Sequence, residues 1–122
     1  MQFRTAIDIP EYGFRLGHDQ QGLMMGSCFA VSVGKRMTAM KMPVTVNPFG
    51  IIYNPASLIR ILDLLEQGTP DTEDDLREDN GLWIAFSHHS AFSSPDKAET
   101  LVRINESVRT GHRSLTDADY LI

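Results

Sequence analysis

The sequence predicts an α/β fold that opens as three layers: a parallel sheet of strand order 2-1-3 with helices on both flanks. Two observations predict it. Short β-prone apolar runs, Leu23-Met24-Met25, Val44-Thr45-Val46 and Tyr120-Leu121-Ile122, alternate with longer stretches whose apolar residues recur at helical spacing. The first two runs bracket one such stretch, which makes a βαβ unit, and these units close right-handed. A second crossover of the same hand then sets the third strand on the far side of the first.

Taken in order, Gln2 to Ile9 alternate loosely through Phe3, Ala6, Ile7 and Ile9 until Pro10 interrupts them, as expected of an extended arm. Glu11 to Gln21 hold Gly13, Gly17, His18 and Asp19 and read as loop, with His18 an exposed polar residue. From Gly22 to Gly34 the chain reads strand, tight turn at Gly26, then helix: Phe29, Ala30, Val33, Met37 and Met40 space a helix over about Cys28 to Met40. Pro43 resets the backbone and Val44-Thr45-Val46 forms the second strand. The Gly26 turn and the Asn47-Pro48-Phe49-Gly50 loop therefore lie side by side at the carboxyl edge of the sheet, where open α/β sheets gather ligands.

Asn54 caps the next helix with Pro55 at its first position, Leu58, Ile61, Leu62 and Leu65 form its buried stripe, and Gly68 ends it. Asp71 to Asp79 read as a solvated acidic loop with one turn of helix over Thr72 to Leu76. Asp71, Glu73 and Asp75 alternate as in a calcium loop, but Leu76 stands where an EF-hand needs glycine, so no metal is expected. Leu82 to Phe86 are β-prone and lead into His88 and His89, whose side chains on extended backbone face opposite ways, so that at most one serves a given site. Ser94-Pro95-Asp96 starts the last helix, Ala98, Leu101, Ile104 and Val108 line it, and Gly111 terminates it. Asp117 to Ile122 begin the third strand.

Across 122 residues, 42% are hydrophobic and 22% charged, and neither a repeat nor a linker divides the chain, so residues 1–122 form a single domain. The net charge of −5, with no basic run, argues against nucleic acid. A lone cysteine makes no internal disulfide, the N-terminus lacks the build of a signal peptide, and no apolar run approaches the roughly 18 residues of a membrane span. A soluble cytoplasmic protein follows. Gly34-Lys35 lacks both the preceding glycine and the following Ser or Thr of a P-loop, and Gly22 and Gly26 are too far apart to open a dinucleotide fingerprint, so no cofactor is expected. Ala118 to Ile122 read as a strand just beginning, so the domain looks truncated, with an open sheet edge through which copies self-associate.

The chemistry concentrates at the Gly26 junction, where the first N–H groups of a helix carry partial positive charge toward an anion or a developing oxyanion. Cys28 is the candidate nucleophile, because the thiolate attacks and the positive end of a helix favours that form. The competing role for Cys28 is a small buried hydrophobe at a tight packing point. Ser27 is either a rival nucleophile or the helix cap. His88 or His89 would be the general base, and the Cys28 N–H with the side chain of Asn47 or Asn54 would hold the oxyanion.

Gly26-Ser27-Cys28-Phe29-Ala30 also carries a resemblance, together with Asn47-Pro48-Phe49-Gly50, Tyr53-Asn54-Pro55, Asn80-Gly81-Leu82-Trp83, His88-His89 and Phe92-Ser93-Ser94-Pro95. These blocks, in order along nearly the whole chain, resemble the GSCFA family, which is similar to the SGNH or GDSL-type hydrolases. The resemblance implies the first half of a flavodoxin-like SGNH-type fold. It sets Gly26, Ser27 and Cys28 on the Gly-Asp-Ser motif of those enzymes and makes the Gly50 N–H an oxyanion donor. It also implies a hydrolase or acyl transferase acting on a small-molecule ester, such as an acylated carbohydrate. In SGNH hydrolases the base histidine and its aspartate come near the C-terminus of the domain, which would lie beyond Ile122, so the chain alone is expected to be inactive. The alternative is a non-catalytic α/β module that binds a ligand or partner at the same strand ends.

Overall fold

The computed structural model describes residue 3 and residues 5–122. Met1, and Gln2 and Arg4 of the expected arm, lie outside the described residues. Phe3 and Thr5 to Gln21 carry no helix or strand, and Phe3, Ile7, Ile9, Tyr12 and Phe14 stand exposed.

Strand β1 (Gly22–Met24), helix α1 (Cys28–Ala39), strand β2 (Val44–Val46), helix α2 (Pro55–Gln67), strands β3 (Arg77–Asp79) and β4 (Leu82–Ile84), helix α3 (Lys97–Thr116) and strand β5 (Tyr120–Leu121) follow in order. The main sheet runs β2-β1-β5, all parallel, with Leu23 opposite Thr45 on one side and Leu121 on the other. This is the 2-1-3 order of the expected fold. The central strand is apolar throughout because both its faces are covered. Leu23 and Met25 point into a core of Phe49, Ile61, Leu65 and Val108 beneath α2 and α3, whereas Met24 points to Ala30 and Met37 of α1.

Asn54 caps α2 by accepting from the Ala56 N–H at 2.9 Å, Pro55 opens the helix, and Gly68 closes it in the left-handed region at φ 62°. Helix α1 sits close enough to β2 that Val46 packs where a Cβ on Gly34 would be, 2.3 Å from that position.

Four local expectations are corrected. Helix α1, expected over about Cys28 to Met40, ends at Ala39 with Met40 as its cap, and of the helically spaced apolar residues Phe29 and Met40 are exposed, while the face that meets the sheet is set by Ala30, Gly34 and Met37. Residues Asp71 to Asp79 are not simply loop, since β3 pairs antiparallel with β4 across Asn80 and Gly81, both at positive φ, after one turn of 3-10 helix at Glu73–Asp75. The cap of α3 is Asp96, whose carboxylate accepts from the Glu99 N–H at 3.0 Å, so Pro95 precedes the cap, and Ala98 is exposed. Gly111 lies inside α3, which runs on to Thr116. A Cβ there would meet Leu65 Cδ2 at 2.4 Å, so this glycine is an approach point between α3 and α2 rather than a stop. Among the described residues, no helix is long and apolar enough to cross a membrane.

Candidate functional site

The carboxyl ends of β1 and β2 are laced together by hydrogen bonds of the backbone and of the Asn47 side chain. The Asn47 N–H donates to Met24 O at 2.8 Å, the Gly26 N–H donates to Asn47 Oδ1 at 2.8 Å, and the Ile52 N–H donates to Gly26 O at 2.9 Å. Gly26 holds φ 142° and Asn47 holds φ 44°, so the junction is fixed by two residues that tolerate positive φ. With Oδ1 committed, Asn47 Nδ2 is left buried and without a partner. An unsatisfied buried donor costs about 1–3 kcal/mol, and this one sits beside the turn where the oxyanion was expected.

Ser27 caps α1: its Oγ accepts from the Phe29 N–H at 3.3 Å. Cys28 is the first residue of the helix and is exposed, which overturns its alternative role as a buried packing residue. The Cys28 and Ala30 N–H groups remain as first-turn donors with no intrahelical acceptor. The Gly50 N–H is instead spent on Asn47 O at 2.8 Å, closing the Asn47–Gly50 turn, so it is not a free oxyanion donor in this conformation. The carbonyl oxygen of the Asn54 side chain is likewise committed, to the cap of α2.

The two histidines part company as expected. His89 returns to the junction: its N–H donates to Phe49 O at 3.2 Å, and its side chain packs where a Cβ on Gly50 would sit. Its Nδ1 accepts from the Ala91 N–H at 3.1 Å, so the neutral ring carries its proton on Nε2 and is a donor there, not a base. His89 also lines a cavity of about 230 Å³ with Tyr53, Asn54, Ser57 and Phe86.

His88 turns inward. Its side chain is 1% exposed, and its ring lies 4.4 Å from that of Phe49 and 5.4 Å from that of Phe92, centroid to centroid. Nδ1 lies 2.9 Å from Ser87 Oγ and Nε2 lies 3.0 Å from Ser107 Oγ. Burial pulls its pKa from 6.5 down to about 4, so at neutral pH it is uncharged. Asp71 Oδ2 approaches Nδ1 at 3.9 Å, too far for a hydrogen bond, and has no other partner. Burial, then the neighbouring Asp75 carboxylate, raise the Asp71 pKa. Contact between a neutral imidazole and this carboxyl group is therefore polar rather than an ion pair.

None of the described hydrogen bonds or ion pairs joins either histidine to Cys28 or Ser27. Sequence reasoning weighed Asp71 only as part of a rejected calcium loop and assigned no role to Ser87 or Ser107. Ser107 had a legible signal, since it falls one turn from Ile104 and beside Val108 on the buried stripe of α3.

Compared with known proteins, residues 22–122 match the model of the GSCFA family. No curated protein and no solved structure matches the chain.

Proposed function

The chain belongs to the GSCFA family, and from that premise we propose that it carries the nucleophile side of an SGNH-like ester hydrolase or acyl transferase, with Cys28 as the attacking group. The observation that carries this reading is the exposure of Cys28 at the first position of α1, directly beyond the central strand of the parallel sheet. That position presents the sulfur to solvent and surrounds it with unpaired amides able to hold a carbonyl oxygen as it gains charge. Ser27 serves as cap, and Asn47 fixes the Gly26 turn while its buried Nδ2 lies next to the site. His89 adds an Nε2 donor on the same loop edge.

Attack by the Cys28 thiolate on an ester carbonyl forms a thioester and expels the alkoxide, which takes a proton from water. Hydrolysing that thioester calls for a base within hydrogen-bond reach. In SGNH hydrolases, which the family is similar to, that base is a histidine near the C-terminus of the domain. The substrate is a small-molecule ester, such as an acylated carbohydrate, and the compartment is the cytoplasm.

Mixing the chain with p-nitrophenyl acetate should release about one equivalent of p-nitrophenolate in a burst and leave an acetyl group on the peptide bearing Cys28. Peptide mass spectrometry reads the site. A burst of the same size in Cys28→Ala would remove Cys28 from the role.

A further inference from the structure

Ser107, His88 and Asp71 come from three separate segments, α3, the loop after β4 and the loop after α2, and meet inside the fold. Ser107 Oγ lies 3.0 Å from His88 Nε2, while His88 Nδ1 faces Ser87 Oγ at 2.9 Å and Asp71 Oδ2 at 3.9 Å. A carboxyl oxygen with no partner of its own on the Nδ1 side favours the tautomer with its proton on Nδ1. Nε2 then accepts the Ser107 O–H. This is the order of a nucleophile and its base, recognised by geometry and not by chain position, with Ser87 Oγ in hydrogen-bond reach of Nδ1 and the Asp71 carboxyl group beyond it.

The serine also has somewhere to meet a substrate. Ser107 lines a cavity of about 730 Å³ whose walls include Val46, Pro48, Phe92 and Val102, a size that suits a small organic ligand. Phe92 both lines that cavity and packs edge-on against His88. Arg103 and Thr110 lie one helical turn to either side of Ser107 on α3 and line the same cavity, with the Arg103 guanidinium donating to Glu99 Oε1 at 2.6 Å.

We propose that Ser107, with His88 as its base, held at Nδ1 by Ser87 and faced there by the carboxyl group of Asp71, is a second acyl-accepting site, separate from Cys28, for esters with an apolar acyl chain. Ser107 Oγ bonds to the acyl carbon as its proton passes to His88 Nε2. When the tetrahedral adduct collapses the ester C–O bond breaks, and the same proton goes to the departing alcohol. Water, deprotonated by Nε2, then releases the carboxylic acid and restores Ser107.

A fluorophosphonate, followed by peptide mapping, tests this on the intact chain. The expected result is a phosphonyl adduct on Ser107, within the tryptic peptide Ile104–Arg109. In His88→Asn its rate of formation should fall by roughly 100-fold, the ordinary contribution of a general base, and Asp71→Asn should slow it less. Ser107 left unmodified in the wild-type chain, with its native circular dichroism and melting intact, would overturn the proposal. So would a rate unchanged in a folded His88→Asn. Because Cys28 is read on a different peptide, failure here leaves the acetyl burst at Cys28 to stand or fall separately.

Discussion

Protonating His88 in the folded chain means placing a cation against the ring of Phe49 in a pocket that leaves the side chain 1% exposed. The unfolded chain has no such penalty, so between its ordinary 6.5 and the folded value of about 4 the unfolded state binds more protons. Stability from this group is therefore complete above pH 6.5, falls as pH drops through that window, and levels off below about 4. The loss amounts to on the order of 3 kcal/mol. Asp71 works in the other direction: its raised folded pKa lets the native state take up a proton first, which offsets part of the loss at the acid end. Urea midpoints measured between pH 8 and pH 4 should fall with acid, and His88→Gln should flatten that slope above pH 5. A slope unaltered in His88→Gln would show that other groups set it.

At the level of elements, contact distances decide which glycines matter. Gly34 is buried in α1 with Val46 Cγ2 2.3 Å and Val46 Cβ 3.3 Å from the position of an added Cβ. Val46 is β-branched and held in the sheet, so it has little room to swing away. Alanine would favour the isolated helix by about 1 kcal/mol, but overpacking this helix–strand contact costs about 1–3 kcal/mol. Gly34→Ala should thus lower the urea midpoint, and an increase would mean that α1 lifts freely from β2. The same reasoning marks the limits of legibility. The βαβ unit, the Asn54-Pro55 start and Gly68 stop of α2, and the third strand were readable because periodicity and capping are local. Gly111 was misread because glycine signals equally a helix end and a close approach, and only the presence of Leu65 across the interface separates the two. The β3–β4 hairpin did have a local signal in Asn80-Gly81, a dipeptide suited to two positive φ angles, but the acidic composition around it masked the pairing. At the candidate site, the placement of Cys28 and Asn47 side by side at the strand ends was legible from the turn and loop that carry them. The meeting of Asp71, His88 and Ser107 was not, because residues far apart in sequence join only through the packing of α3.

For the molecule as a whole, the open question of assembly lies at the sheet edges. Among the described residues, three parallel strands in the order β2-β1-β5 leave one hydrogen-bonding edge of β2 and one of β5 without a strand beside it. Such edges template pairing with another chain unless charge, proline or a covering element blunts them. At β5, pairing with β1 is sustained to the end of the strand by the Ile122 N–H on Leu23 O and the Met25 N–H on Ile122 O, and Leu121 and Ile122 are 50% and 46% exposed. The arm adds exposed apolar surface at Ile7, Ile9, Tyr12 and Phe14. Both features favour the proposed self-association through β5, and both would strengthen it as salt screens the net charge of −5. Light scattering on a size-exclusion column should give a mass that climbs above 13.7 kDa with loading concentration. Leu121→Lys, which puts a charge on the pairing edge, should return it to the monomer value. A monomer at every concentration would rule the edge out, and a mass unchanged by Leu121→Lys but lowered by polar substitution at Ile7 and Ile9 would move the contact to the arm.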